Sequence, residues 1–173
     1  ERRRVFCPSM ADVFEDRVDL DMPRARLFSL IEATPELDWL LLTKRPENMH
    51  KLAPVGWRNR WPSHVWAGTT AENMAMLELR SRWLRFIPAR VRFLSCEPLL
   101  EELDIDSVSR LNRNADEYTD GIDWVIVGGE SGPKARPCAV EWIESIVRQC
   151  AEAGVPCFVK QLGAMSVSEH RPA

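Results

Sequence analysis

Short runs of apolar residues recur along the chain, and each is followed by a polar turn and then a helical stretch. The first residues of successive runs are separated by 34, 26, 26, 33 and 31 residues, which is the length of a strand–helix unit. Most runs are apolar on both faces, as is typical of parallel strands covered on both sides of a sheet. The pattern predicts six strands: Val5–Cys7, Trp39–Leu42, Val65–Ala67, Val91–Leu94, Trp124–Val127 and Val155–Val159.

Apolar residues at helical spacing fill most of the intervals between these runs. They predict one short helical turn and three longer helices: Glu47–Leu52, Pro23–Ala33, Ala71–Phe86 and Ala139–Ala153. Gly154 follows the last of these, where glycine commonly ends a helix. The interval 101–121 is polar, so we interpret it as an insertion with a weak helix at most, in which Val108 and Leu111 make a small satellite contact.

Six alternating units occur in two architectures, a (β/α) barrel, whole or partial, and an open doubly wound sheet. A complete eight-unit barrel usually takes ~200–250 residues, and this chain has 173. We therefore predict an α/β fold, a partial (β/α) barrel of about six parallel units, with residues 1–173 forming a single domain. Because Glu1 is not an initiator methionine and the first strand begins almost at once, we expect the chain to be a fragment of a longer protein.

Composition disfavours several classes of protein. The 23 basic and 26 acidic residues give a formal net charge of −3, which is not typical of a domain that binds nucleic acid without sequence preference. No apolar run approaches the ~18 residues that span a bilayer, so no membrane partner is expected. Five cysteines without zinc-ribbon spacing favour a reduced, cytoplasmic protein. The three scattered histidines predict no metal site.

Polar residues follow every run, and parallel strands bring such turns together at the carboxyl edge of the sheet, where α/β proteins bind ligands. Two carboxylates and three cations are therefore expected to converge on one pocket: Glu97, Glu130, Lys44, Arg45 and Lys160. This mixture suits a zwitterionic or polyhydroxyl small molecule, because carboxylates accept from ammonium or hydroxyl groups and cations bind carboxylate or phosphate. The full candidate set is Ser9, Asp12, Thr43, Lys44, Arg45, Thr69, Thr70, Ser95, Glu97, Gly128, Gly129, Glu130, Ser131, Lys160 and Gln161.

Two of these turns also have plain structural interpretations. The segment Thr43–Pro46 could be a solvated strand end, and Glu97 could belong to a structural ion pair with Arg45 or Lys160. The sequence alone leaves these alternatives open beside the pocket.

Backbone groups add a second candidate feature after the fifth run. Gly128 and Gly129 would let the backbone approach a ligand closely, since neither carries a Cβ. The pair does not form a dinucleotide-binding fingerprint, which needs a longer glycine pattern after the first strand. A helix that begins after Ser131 would present free N–H groups to an anion.

One loop is a local candidate for contact with a nucleic acid or a partner. Trp57 and Trp61 alternate there with Arg58 and Arg60, and aromatic rings stack on bases while guanidinium groups bind phosphates. The alternative is a tryptophan-rich loop that closes the outside of the barrel.

Six segments, in order along nearly the whole chain, form a recognisable set: Ser9–Phe14, Leu42–Pro46, Trp66–Asn73, Phe93–Leu100, Trp124–Gly132 and Phe158–Gly163. Together they resemble the phage gp-thirty-seven/sixty-eight family, a bacterial and phage family of unknown function that is similar to radical S-adenosylmethionine enzymes. The resemblance implies a partial (β/α) barrel with its site at the carboxyl ends of the strands.

The resemblance also implies S-adenosylmethionine and a [4Fe–4S] cluster as cofactors of a radical-type enzyme. Under this interpretation S-adenosylmethionine is held by Ser95, Glu97, Gly128, Gly129, Glu130 and Ser131. The substrate faces Ser9, Asp12, Thr43, Lys44, Arg45, Thr69, Thr70, Lys160 and Gln161. The five cysteines do not have the spacing of cluster ligands, so the cluster is expected on a segment before Glu1. Two rivals remain, a non-redox barrel that binds a nucleotide or phosphometabolite, and a phage or defence protein that processes nucleic acid.

Overall fold

The computed structural model describes residues 2–8, 11–111 and 121–168. Six of its strands form the main sheet: β1 (Arg4–Cys7), β2 (Asp38–Thr43), β3 (Val65–Thr70), β4 (Arg92–Cys96), β5 (Trp124–Gly128) and β7 (Cys157–Gln161). They lie in that order, and every neighbouring pair is parallel. The sheet curls into a half-barrel flanked by helices, which confirms the predicted partial (β/α) barrel. Two further strands, β6 (Cys138–Ala139) and β8 (Ser166–Val167), pair with each other.

The helices occupy the intervals between strands. They are α1 (Asp21–Ala33), α2 (Met49–Leu52), α3 (Met74–Leu84), α4 (Ile105–Ser109) and α5 (Val140–Ala153), with 3-10 turns at Val18–Leu20, Pro46–Asn48 and Val55–Trp57. The α3 helix begins later than predicted because the Asn73 side chain accepts from Met76 N at 2.9 Å and caps it. Within the described ranges, no helix has both the length and the apolar character that a membrane span requires.

The last strand of the sheet begins at Cys157, two residues later than predicted. Gly154 adopts the left-handed conformation (φ 71°) that ends α5 as expected, and Val155 N then donates to Cys150 O at 2.9 Å. Pro156 has no N–H to donate. Val155 therefore belongs to the end of the helix rather than to the strand.

The two faces of the sheet differ in what covers them. The outer face packs against the helices in the main apolar core, which includes Leu41, Val65 and Leu94. The inner face of the half-barrel has a smaller aromatic and aliphatic layer: Leu40, Phe93 and Ile126, with Leu42, Trp66 and Trp124 packed against them. The Arg4 guanidinium lies over the rings of both tryptophans, 5.2 and 5.7 Å from their centres.

The edge strands depart from the expectation that strands are covered on both faces. Phe6 on β1 is 43% exposed and Phe158 on β7 is 52% exposed. Each of these strands has a neighbour on one side only, so the inner layer that buries Phe93 does not continue over them.

The interval after β4 contributes more to the core than its polar composition predicts. Leu103, Ile105 and Leu111 are buried in the main core, so the expected small satellite contact is wrong. The α4 helix forms because Asp104 caps it by accepting from Ser107 N. The Gln149 side chain of α5 accepts from Ile105 N and donates to Leu103 O, both at 2.8 Å, which fixes the segment against α5. Residues 112–120 of the predicted insertion lie outside the described residues.

Candidate functional site

Asp12 organises the turns that follow β1 and β2. Its Oδ1 accepts from Phe14 N at 3.0 Å and from the Thr43 hydroxyl at 2.6 Å. Its Oδ2 accepts from Lys44 N and from Arg45 Nη1, each at 3.0 Å. All of these donors belong to the protein, so Asp12 positions the turns instead of facing substrate as predicted.

A cavity of about 450 Å³ opens beside this cluster, at the carboxyl ends of β1, β2 and β3. Its size falls within the range of small-molecule sites, about 300–1,000 Å³. Within the described residues, no carboxylate lies within ion-pair distance of the Lys44 ammonium, whereas Arg45 pairs with both Asp12 and Glu15. The wall consists of Phe6, Pro8, Ala11, Asp12, Leu42, Thr43, Lys44, Arg45 and Thr70.

The third turn adds a buried ion pair that the candidate set does not contain. Arg80 on α3 donates to the Thr70 hydroxyl and to Glu72 Oε2, each at 2.7 Å. Burial opposes ionisation of Glu72, but a backbone N–H, Arg80 and the charge of Lys44 outweigh it and hold the pKa of Glu72 below its usual range. Thr69 is also turned away from the edge, since its buried hydroxyl donates to Thr43 O at 2.8 Å. The expected substrate role of Thr69 is therefore wrong.

Glu97 and Lys160 meet, as the convergence of strand ends predicts. Lys160 Nζ donates to Glu97 Oε2 at 2.9 Å and Gln161 Nε2 donates to Glu97 Oε1 at 3.0 Å. Gln161 also donates to Gly129 O at 3.1 Å, so these contacts join the ends of β4, β5 and β7. The inward Ser95 is buried, and its hydroxyl makes no side-chain hydrogen bond within the part of the chain that the structure describes.

The glycine pair after β5 serves the packing of the chain itself. A Cβ on Gly129 would lie 2.3 Å from Leu162 O and 2.9 Å from the Cα of Gly163. A Cβ on Gly128 would lie 3.0 Å from Gln161 O. The missing side chains thus admit the backbone that follows β7, which occupies the space expected for a ligand.

Glu130 is held by a residue that the sequence analysis missed. Arg136 donates to Glu130 Oε2 through Nε at 2.7 Å and to Oε1 through Nη2 at 3.0 Å. These hydrogen bonds lower the pKa of Glu130 to about 2. No helix starts directly after Ser131, because α5 begins only at Val140, so the expected anion site at a helix end is wrong.

Replacing Arg136 by alanine is expected to raise the pKa of Glu130 from about 2 toward its ordinary value of 4.5. Because folding depresses this pKa, the pair stabilises the protein above about pH 4.5, and its contribution is lost as the pH falls toward 2. An NMR titration of the Glu130 carboxyl carbon measures the shift, with Arg82→Ala on the surface of α3 as control. A midpoint near 4.5 in the unsubstituted chain would contradict the pairing.

The tryptophan-rich loop does not offer stacking faces. Trp57 and Trp61 are only 3% and 2% exposed and pack against each other and against Phe14 and Phe28. The Trp57 indole donates to Glu32 Oε1 at 3.0 Å. Base stacking on these rings is therefore excluded, and the alternative of a closing loop describes them better.

The predicted residues thus meet in neighbouring groups along one edge. The cavity wall contains Lys44 but not Glu97, Glu130 or Lys160. Glu72 links the groups electrostatically, since its charge interacts with Lys44 on one side and with Arg136 on the other. Ser9 lies outside the described residues.

The iron–sulfur cluster implied by the sequence motifs does not fit the described residues. Across residues 2–8, 11–111 and 121–168, no group of three histidine, cysteine, aspartate or glutamate side chains is placed to hold a metal ion. Cys96, Cys138 and Cys150 are buried in the fold, and all five cysteines are free thiols. We derive no chemical step through a cluster from these residues.

Comparison with curated proteins and with solved structures gives no match to the chain. A family model described as a protein of unknown function, DUF5131, matches residues 1–172. That description assigns no activity, so similarity to radical S-adenosylmethionine enzymes remains the basis of a proposal. Because the match covers nearly the whole sequence, the chain belongs to the DUF5131 family.

Proposed function

We propose that the carboxyl edge of the half-barrel binds a small zwitterionic molecule, and that this molecule is S-adenosylmethionine. The observation that carries the proposal is the cavity beside Lys44, whose ammonium has no ion-pair partner within the described ranges. A carboxylate on the ligand is the natural complement of such a cation. The motifs similar to those of radical S-adenosylmethionine enzymes supply the specific candidate.

The charges along the edge favour a zwitterion over a polyphosphate. Glu72, Glu97 and Glu130 each keep acceptor capacity beyond their present partners, because a carboxylate offers about four lone-pair sites. They attract an ammonium group or ribose hydroxyls and repel a di- or triphosphate. Arg45 and Lys160 are already paired with carboxylates, so little cationic charge remains for the rival nucleotide ligand.

Each part of the proposed ligand has a complement at this edge. Lys44 binds its carboxylate, and the apolar wall formed by Phe6 and Leu42 packs against its hydrocarbon parts. Ser95 offers a hydroxyl without a side-chain hydrogen bond in the described ranges. When bound, S-adenosylmethionine supplies a sulfonium centre whose carbon–sulfur bonds are activated for group transfer. The role of these residues is to bind and orient it.

Isothermal titration calorimetry with S-adenosylmethionine and with ATP tests the proposal. We expect S-adenosylmethionine to bind and Lys44→Ala to weaken it by at least about tenfold. Loss of a hydrogen bond to a charged group costs about 1.5–3 kcal/mol, and 1.4 kcal/mol corresponds to tenfold in affinity.

Lys51→Ala is the matched control, since Lys51 lies on the surface in a pair with Asp16, outside the cavity wall. It removes the same charge and should leave binding unchanged. Absence of heat with S-adenosylmethionine, or equal binding by the unsubstituted chain and Lys44→Ala, would refute the proposal. Tighter binding of ATP would favour the nucleotide-binding alternative.

A further inference from the structure

A pair of thiols lies at the opposite end of β7 from Lys160 and Gln161. Cys150 is on the buried face of α5, and Cys157 is the first residue of β7. The left-handed Gly154 reverses the chain between them, and Val155 N donates to Cys150 O. Both cysteines pack in the main core on the helix-covered side of the sheet. The turn thus brings two thiols, seven residues apart, against each other.

The two thiols are hydrogen-bonded, with Cys150 as the donor and the sulfur of Cys157 as the acceptor. This hydrogen bond, together with burial, raises the pKa of Cys150. The same bond outweighs burial at Cys157 and lowers its pKa. By contrast, burial raises the pKa of Cys7, Cys96 and Cys138. Cys157 therefore has the greatest thiolate character among them, and the thiolate is the reactive form.

Cys157 is also the more accessible of the pair. It is half-buried, whereas Cys150 is only 1% exposed. It opens an edge strand, and its neighbours Pro156 and Phe158 are exposed. A small oxidant can reach Cys157 directly, with Cys150 held behind it.

We propose that Cys157 and Cys150 are a redox-active thiol pair that hydrogen peroxide converts into a disulfide. The Cys157 thiolate attacks one peroxide oxygen, the O–O bond breaks, and hydroxide leaves with a proton taken from solvent to form water. The Cys150 thiol then attacks the sulfur of the resulting sulfenic acid. The S–O bond breaks, a second water leaves, and the S–S bond forms. The two thiols supply the two electrons that reduce the peroxide.

Peptide mapping of the peroxide-treated chain tests this pairing. Trypsin releases both cysteines in one peptide, Gln149–Lys160, because no lysine or arginine lies between Arg148 and Lys160. We expect this peptide to become lighter by two hydrogen atoms and to resist alkylation until it is reduced. Further cleavage after Glu152 should leave its two halves joined. Oxidation of Cys157 should be at least about tenfold faster than that of Cys138, the factor that one pKa unit supplies.

Two variants separate the pair from general thiol oxidation. Cys150→Ser should stop at the sulfenic acid of Cys157, which dimedone traps, while Cys138→Ser should form the disulfide at the unsubstituted rate. Full alkylation of both cysteines after peroxide treatment of the unsubstituted chain would overturn the proposal. Oxidation of Cys7 or Cys138 as fast as that of Cys157 would overturn it as well.

Discussion

Replacing Gly129 by alanine is expected to destabilise the fold by about 2–3 kcal/mol, the usual cost of forcing atoms into a packed site. The added Cβ would meet Leu162 O at 2.3 Å. The surrounding backbone cannot easily yield, because Gly129 N donates to Gln161 O and Ala164 N donates to Glu130 O. The sign is informative, since a glycine-to-alanine change without a clash stabilises proteins by about 0.4–1 kcal/mol through the unfolded chain.

Gly56→Ala is the matched control, because nothing lies within 4 Å of a Cβ at that position. It should leave the free energy of unfolding unchanged or raise it slightly. Urea denaturation followed by circular dichroism measures both variants. Equal stability of Gly129→Ala and the unsubstituted chain would show that the backbone after β7 does not pack against Gly129.

Replacing Asp12 by asparagine is expected to cost about 3 kcal/mol of stability, because it breaks hydrogen bonds to a charged group and leaves their donors unpaired. The carboxylate accepts from four donors, two on each oxygen. Whichever way the amide is turned, one of its two ends presents N–H groups to donors. Because Asp12 also holds Lys44 N, the substitution should weaken S-adenosylmethionine binding as well as the fold.

Asp16→Asn provides the comparison for Asp12→Asn. Asp16 pairs with Lys51, and both side chains are exposed, so the loss should be within about 1 kcal/mol. The two variants change charge equally and differ in what the carboxylate holds. Similar midpoints of urea denaturation for both would contradict the role of Asp12 in joining the turns.

The strands were predictable because burial on both faces leaves a clear pattern. The runs at Trp39, Phe93 and Trp124 lie in β2, β4 and β5, which have a strand on each side. The final run was less exact, since hydrophobicity alone does not separate Val155, which ends a helix, from Cys157, which begins a strand. The buried side chains around Leu103 were missed because the surrounding residues are polar.

The candidate site was predictable in position but not in pairing. Parallel strands dictate that Glu97 and Lys160 share an edge, and they are in contact. Arg80 and Arg136 were missed because their partners lie across a helix turn or a loop, and no strand-end rule locates them. The use of Gly129 depends on a backbone 33 residues later in the chain, at Leu162, which no local pattern specifies.

A cycle of two ligands and two chains tests most directly whether Lys44 binds a carboxylate at the carboxyl edge. S-adenosylmethionine and its decarboxylated analogue differ in the group proposed to contact Lys44. Calorimetry should give the unsubstituted chain at least about a tenfold preference for the carboxylate-bearing ligand, and Lys44→Ala should lose that preference. The same preference in both chains, or none in the unsubstituted chain, would contradict the proposed site.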